Sequence, residues 1–208
     1  MPVYNALIAG IGGQGVITLG TRMKKAALKA GIHVSGSERR GGAQREGHVS
    51  TIIRYQWWED GQKPDERHAV CSPMLASGSA HLLIGLEPIE AVRLSCFLNK
   101  ASIVVMNSFP VPSIPVKLGE ASYPSTEAMV NMLARLTKNI YVWDLTELAR
   151  RNFGHSLAMN AICLGIASTI AHLPVSKVNL LEVLKEEGRP QDIECFRFGV
   201  KLANEQCG

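Results

Sequence analysis

The chain commits early to a glycine loop, Ala9-Gly10-Ile11-Gly12-Gly13-Gln14-Gly15-Val16-Ile17-Thr18. An apolar run at 3–9 leads into it and a helical pattern at 15–30 leaves it. Strand, glycine turn and helix in that order build a ready site for phosphate. The first N–H groups of a helix have no partner inside the helix, and the positive end of the helix dipole stands behind them. Glycine lets the backbone approach a ligand because no Cβ intervenes. Gly10, Gly12 and Gly15 fit the G-x-G-x-x-G spacing of dinucleotide-binding folds. The competing reading is a tight strand-to-helix turn that holds nothing.

A chain of 208 residues, 46% of them hydrophobic, can bury one sizeable core, and residues 1–208 read as a single domain. The net charge of +4 is too small to argue for a nucleic-acid partner. Lys24, Lys25 and Lys29 fall on the first helix as a solvated face, whereas Arg39, Arg40 and Arg45 fall in a loop after the second strand. The N-terminus has no basic n-region before its apolar run. The longest apolar stretch, 157–173, is broken by Asn160, Ser168 and His172, so it reads as a buried helix rather than a membrane span. A cytoplasmic protein with neither membrane nor nucleic acid as partner is expected. Cys71, Cys96, Cys163, Cys195 and Cys207 show no C-x-x-C spacing. They read as reduced thiols and not as a zinc or iron–sulfur site, so no metal ligands are assigned. His33, His81 and His172 read as structural residues.

Strands are predicted at 3–9, 32–36, 48–55, 67–71, 81–86, 102–107 and 139–144. Helices are predicted at 15–30, 88–98, 125–137, 145–152, 156–172, 176–187 and 190–205. Short Ile/Val/Leu-rich strands alternating with helices imply an α/β, mostly parallel sheet flanked by helices, with a helical C-terminal third. Residues 59–64, Glu-Asp-Gly-Gln-Lys-Pro, look like a β-hairpin turn between two strands, which makes the sheet mixed. Pro110, Pro112, Pro115 and Pro124 mark 108–124 as a long loop without a helical interior. Leu157, Ile162, Leu164 and Ile166 are expected to pack their helix into the core, and Ser176 to cap the next one.

Several chemistries are missing. An NAD site wants an acid at the end of the second strand. That end, near Val34-Ser35-Gly36, has none, and Glu38 is followed at once by Arg39 and Arg40. Arginines there suit a phosphate better than a diol, which keeps NADP open. No Gly-Lys-Ser/Thr follows the loop and no G-x-S-x-G elbow occurs. With no cluster of acid, base and nucleophile, no catalytic residue is assigned. The chain reads as one that holds part of a ligand and leaves the chemistry elsewhere.

The run from Gly10 to Leu19, with Gln14 between Gly13 and Gly15, resembles the gamma-type, Rossmann-like module of the 2-oxoacid:ferredoxin oxidoreductases. A second stretch, residues 37–54, is similar to the beta subunits of indolepyruvate-type members through Ser37, Glu38, Gly41, Gln44, Arg45, Gly47, Val49 and Arg54. A third match is Asn160 with Leu164-Gly165 and Phe196-x-x-Gly199. Three positions depart from the family pattern: Glu46 in place of glycine, Arg40 in place of histidine and Asp192 in place of asparagine.

The resemblance implies a divided enzyme, inactive as this chain alone. A large partner subunit, in an α2β2 hetero-oligomer, would carry thiamine diphosphate, magnesium and iron–sulfur clusters. The implied reaction is oxidative decarboxylation of a 2-oxoacid of the arylpyruvate or indolepyruvate type. Coenzyme A takes the acyl group and ferredoxin the electrons. Gly12, Gly13, Gln14, Gly15, Ser37, Arg39, Arg40 and Arg45 are the candidate cofactor-binding residues, with coenzyme A as the ligand. The arginine loop is expected to face the partner. An NADP-dependent Rossmann reductase and a non-catalytic scaffold subunit remain as alternatives.

Overall fold

A computed structural model describes residues 2–41, 47–58, 70 and 72–207, with side chains described through 206. Its frame is a six-stranded sheet in the order β2-β3-β1-β4-β5-β6. β1 (Val3–Ile11), β4 (Leu82–Gly85), β5 (Ile103–Asn107) and β6 (Asn139–Trp143) run parallel. β3 (His48–Gln56) is antiparallel both to β1 and to β2 (His33–Arg40). The expected α/β class, mixed sheet and helical C-terminal third are therefore present. Central β1 is buried on both faces beyond its first residue, as an Ile/Leu/Ala strand between two helix layers must be.

The two faces carry separate cores. On one, Ala6, Ile8, Ile53 and Ile84 pack under α1 (Val16–Lys29), α6 (Met159–Ile170) and α8 (Pro190–Cys207), with α5 (Leu145–Phe153) and α7 (Lys177–Glu186) alongside. On the other, Leu7, Ala9, Leu83, Val104 and Met106 pack with Ala91 of α2 (Pro88–Arg93) and Leu133 of α4 (Thr126–Leu133). The alternation of odd and even residues along β1 produces this division. Local chemistry sets the helix ends. Asp144 accepts from the N–H of Glu147 at 2.8 Å to start α5. Ser176 and Asn179 form a capping box on α7, as expected for Ser176. Buried Asn107, at the end of β5, donates to the Leu86 carbonyl and accepts from the N–H of Leu145, joining three connections at the carboxyl edge of the sheet.

Four expectations are corrected. The second strand does not end near Gly36 but runs to Arg40, because Gly36–Arg40 continue the antiparallel ladder opposite Val49–Ile53. Arg39 and Arg40 are thus strand residues, and the loop of a β2–β3 hairpin begins after them. Residues 108–124 contain a one-turn helix, α3 (Ile114–Lys117), with a proline in its first turn, where the missing N–H costs no bond. The helix predicted at 88–98 breaks into α2 and a 3-10 turn at Ser95–Phe97. Leu157 sits in a 3-10 turn ahead of α6 and is 53% exposed, while Ile162, Leu164 and Ile166 are buried as expected. The turn expected at 59–64 lies outside the described residues, as do Gln44, Arg45, Glu46 and most of the strand expected at 67–71. Among the described residues no single helix is long and apolar enough to cross a membrane.

Burial sets the titration of two groups in this frame. The Cys163 thiol is pushed up to about 12. His81, stacked on Tyr4, is pushed below its ordinary value by burial, and its Nδ1 accepts from the N–H of Asn5 at 3.0 Å. A histidine whose folded value is depressed contributes stability above its unfolded value near 6.5 and loses it as pH falls toward the folded value. The melting temperature is therefore expected to drop as pH is lowered from 7.5 to 5.5. In His81→Gln, which keeps an acceptor but cannot protonate, the slope should be shallower when measured by pH-dependent thermal denaturation.

Candidate functional site

The glycine loop leaves β1 at the carboxyl edge of the sheet, where α1 crosses one face and α2 the other. Such a switch in strand connection is where open α/β sheets place ligands. Gly13 and Gly15 have φ of 94° and 79°, backbone open to glycine. A Cβ on Gly15 would strike the Asn160 amide, whereas one on Gly13 would meet nothing within 4 Å. Gly15 is therefore required by packing as well as φ, and Gly13 by φ alone. Gln14, the residue that distinguishes the loop, turns inward. Its Oε1 accepts from the N–H of Ile11 at 2.9 Å and its Nε2 donates to the Leu86 carbonyl at 3.1 Å. It staples the β1 and β4 loops together.

The first bond of α1 runs from the N–H of Leu19 to Gly15 at 2.9 Å. The N–H groups of Val16, Ile17 and Thr18 precede that bond, no side chain caps them, and the first turn holds no acid. These residues line a cavity of about 880 Å³ together with Gly12, Gly13, Gly15, Arg40 and Asn160. Asn160 is 5% exposed. Its Nδ2 donates to the carbonyls of Gln14 and Leu157 at 3.0 and 3.2 Å, which fixes the amide orientation. Its Oδ1 is left buried without a hydrogen-bond partner among the described residues. The cavity thus offers uncapped N–H donors and a cation, Arg40, while the Asn160 Oδ1 stays buried behind its wall. That suits an anionic ligand.

Of the eight candidate residues, Gly12, Gly13, Gly15 and Arg40 come together on the cavity. Arg40 is exposed and lies 3.8 Å from Glu38. Gln14 is beside it but faces inward. Ser37 and Arg39 fall, by strand alternation, on the opposite face of β2 from Arg40, and Ser37 donates to the Pro73 carbonyl at 3.3 Å. Arg45 lies outside the described residues.

Residues outside the candidate set complete the walls, most of them far along the chain. Arg22, His155, Arg189 and Asp192 join the lining. Arg22 is almost fully buried and neutralised by Glu187 at 2.7 Å and by Asp192. The Asp192 departure has a partner, then, in the same cavity wall. Sequence reasoning did not place Asn160 or Asp192 at the loop. Asn160 stood out as a family match and as a lone amide inside an apolar helix, neither of which ties it to the loop.

The loop's demands give a direct expectation. Gln14→Ala leaves the N–H of Ile11 without its acceptor and takes one of two donors from the Leu86 carbonyl, which keeps Asn107, at a cost of about 1–3 kcal/mol. Thermal denaturation of the variant should show a melting temperature lowered by roughly 2–10 °C. A melting temperature equal to the parent's would show that the staple carries no stability.

The family model described as pyruvate ferredoxin/flavodoxin oxidoreductase matches residues 5–203. The indolepyruvate oxidoreductase subunit IorB of Thermococcus kodakarensis is 31% identical over 213 residues, covering 100% of both chains. That of Pyrococcus horikoshii is 30% identical, covering 99% of this chain and 98% of its own. The keto/oxoacid ferredoxin oxidoreductase gamma subunit of Geobacter sulfurreducens shares the fold with a TM-score of 0.64 at 17% identity, over 97% of this chain and 99% of that one. The 2-oxoglutarate:ferredoxin oxidoreductase of Magnetococcus marinus, solved with 2-oxoglutarate, coenzyme A and succinyl-CoA bound, matches with a TM-score of 0.66 at 16% identity. This chain is covered to 99% there and spans 32% of that longer chain.

Proposed function

Because the chain belongs to the pyruvate ferredoxin/flavodoxin oxidoreductase family, we propose that it is the small subunit of a thiamine-diphosphate-dependent 2-oxoacid:ferredoxin oxidoreductase of the indolepyruvate type. The complex is cytoplasmic and converts an arylpyruvate to its acyl-CoA, carbon dioxide and reduced ferredoxin. Thiamine diphosphate, magnesium and the iron–sulfur clusters belong to a larger partner subunit in an α2β2 assembly. Residues 1–208 act as one gamma-type domain.

The observation that carries this reading is the cavity at the glycine loop, on a chain that matches the indolepyruvate oxidoreductase small subunits from end to end. We assign that cavity to coenzyme A, which supplies the thiol that accepts the acyl group. The fit is chemical. Uncapped N–H groups at Val16, Ile17 and Thr18, with Arg40 on the same cavity, suit a pyrophosphate. The role of this chain is binding and orientation. Gly12, Gly13 and Gly15 shape the cradle and Arg40 supplies charge from the end of β2; Arg45 is assigned to coenzyme A on its match to the family motif alone. Ser37 and Arg39, on the other face of β2, are assigned to the surface that meets the partner instead.

Recombining the purified chain with its large subunit tests the assignment. The chain alone should show no 2-oxoacid oxidation, and the complex should form acyl-CoA with a ferredoxin acceptor. Turnover by the chain alone would overturn the divided enzyme. In the complex, Arg45→Ala should lower activity about tenfold, equivalent to about 1.4 kcal/mol of transition-state stabilisation. Lys25→Ala, on an exposed ion pair across 3.9 Å, should change little.

A further inference from the structure

The cavity has two lips beside the helix terminus, Gly12 from the β1 loop and Gly41 from the end of β2. Both hang on consecutive carbonyls at the start of β3. The N–H of Gly12 donates to the carbonyl of Gly47 at 2.9 Å, and the N–H of Gly41 to that of His48 at 2.6 Å. A Cβ on Gly41 would stand 3.2 Å from the His48 nitrogen, so the lip lies close against β3. His48 also forms the last pair of the β1–β3 ladder, opposite Ile11. The end of a ladder opens at little cost unless something beyond the backbone holds it.

The His48 side chain supplies that hold from the far face of the sheet. Val49 points into the cavity, and alternation sends His48 the other way, toward α2. There its Nδ1 pairs with the Glu90 carboxylate, and its Nε2 lies 3.1 Å from the Ser50 hydroxyl. Glu90 is fixed in advance. Its N–H donates to the N-cap carboxylate of Glu87 at 3.0 Å, and Arg93 stands 3.6 Å from its other oxygen. Glu87 is itself buried and accepts from the Tyr123 hydroxyl at 2.5 Å. The imidazole therefore meets a rigid, nearly buried anion. Nδ1–H donates to Glu90 in both the neutral and the charged ring, with Nε2 accepting from Ser50 in one and donating in the other.

We propose that His48 is a positioning residue: clamped by Glu90, it fixes both lips of the cavity through the backbone at 47 and 48 and thereby sets the affinity of a site its own side chain does not touch. Where the ligand is named as coenzyme A, this rests on the function proposed above.

Two readouts on the assembled complex test it. In His48→Ala, amide hydrogen exchange at Gly12 and Gly41 should accelerate about tenfold, with exchange in central β1 and β4 unchanged. The KM for coenzyme A should rise about tenfold while kcat stays within about twofold, the pattern of lost binding alone. His48→Asn, whose side-chain N–H can still reach Glu90, should restore most of both, and it serves as the folded control if the alanine variant is unstable. Unchanged exchange at the two glycines overturns the inference, as does an asparagine variant no better than alanine. Gly13→Val separates the two layers of argument. If it leaves the KM for coenzyme A unchanged, the coenzyme A assignment fails and exchange alone decides the role of His48. If it raises that KM and His48→Ala does not, the inference fails and the assignment stands.

Discussion

The cavity depends on how closely α6 and α8 cross. Gly165 of α6 and Gly199 of α8 face each other's backbones. A Cβ at the first would collide with the Phe196 carbonyl oxygen, and at the second with that of Ile162. Two glycines in place of side chains bring the helix axes together, at the entropic cost glycine carries in a helix. The gain is placement. α6 begins with Asn160 against the glycine loop, and α8 begins with Asp192 against Arg22 of α1. Any bulk at the crossing would push both helix starts away from the loop they complete.

Arg22 shows what such convergence costs. A guanidinium taken out of water is expensive unless paired and hydrogen-bonded, and removing one partner leaves the charge stranded. Here two carboxylates answer it, Glu187 at the end of α7 and Asp192 in the first turn of α8, where a negative charge also suits the helix dipole. Three helices meet on that one cation. The wall of the cavity is consequently held by a directional contact, where apolar packing alone would let the helices slide.

The glycine loop and the alternation of strands and helices were legible because each is written in a local period or a turn signal. The mixed sheet was expected from a turn at 59–64, outside the described residues, whereas the antiparallel pairing that mixes it is that of β3 with β2 and β1. The far half of β2 was not. Ser37, Glu38, Arg39 and Arg40 read as loop by composition, and pairing with β3 makes them a strand. The α3 turn hid behind its prolines for a similar reason, since a proline in the first turn breaks nothing. Of the candidate residues, Gly12, Gly13, Gly15 and Arg40 reach the cavity because they lie near the loop or in the motif beside it. Asn160 and Asp192 reach it across more than 140 residues of chain, a distance no spacing rule spans. Gln14 stood out in sequence, and its task as an internal staple became visible only once Leu86 was placed beside it.

The run Glu38, Arg39 and Arg40 closes the outer strand of the sheet. Among the described residues no further strand pairs with β2, and an edge strand offers amide and carbonyl groups to any extended segment of another molecule. Here such a segment would have to strip water from three consecutive charges before it could dock. The residues that furnish a cation to the cavity thus also guard the sheet against edge-to-edge aggregation, a protection that matters most while the chain has yet to meet its partner.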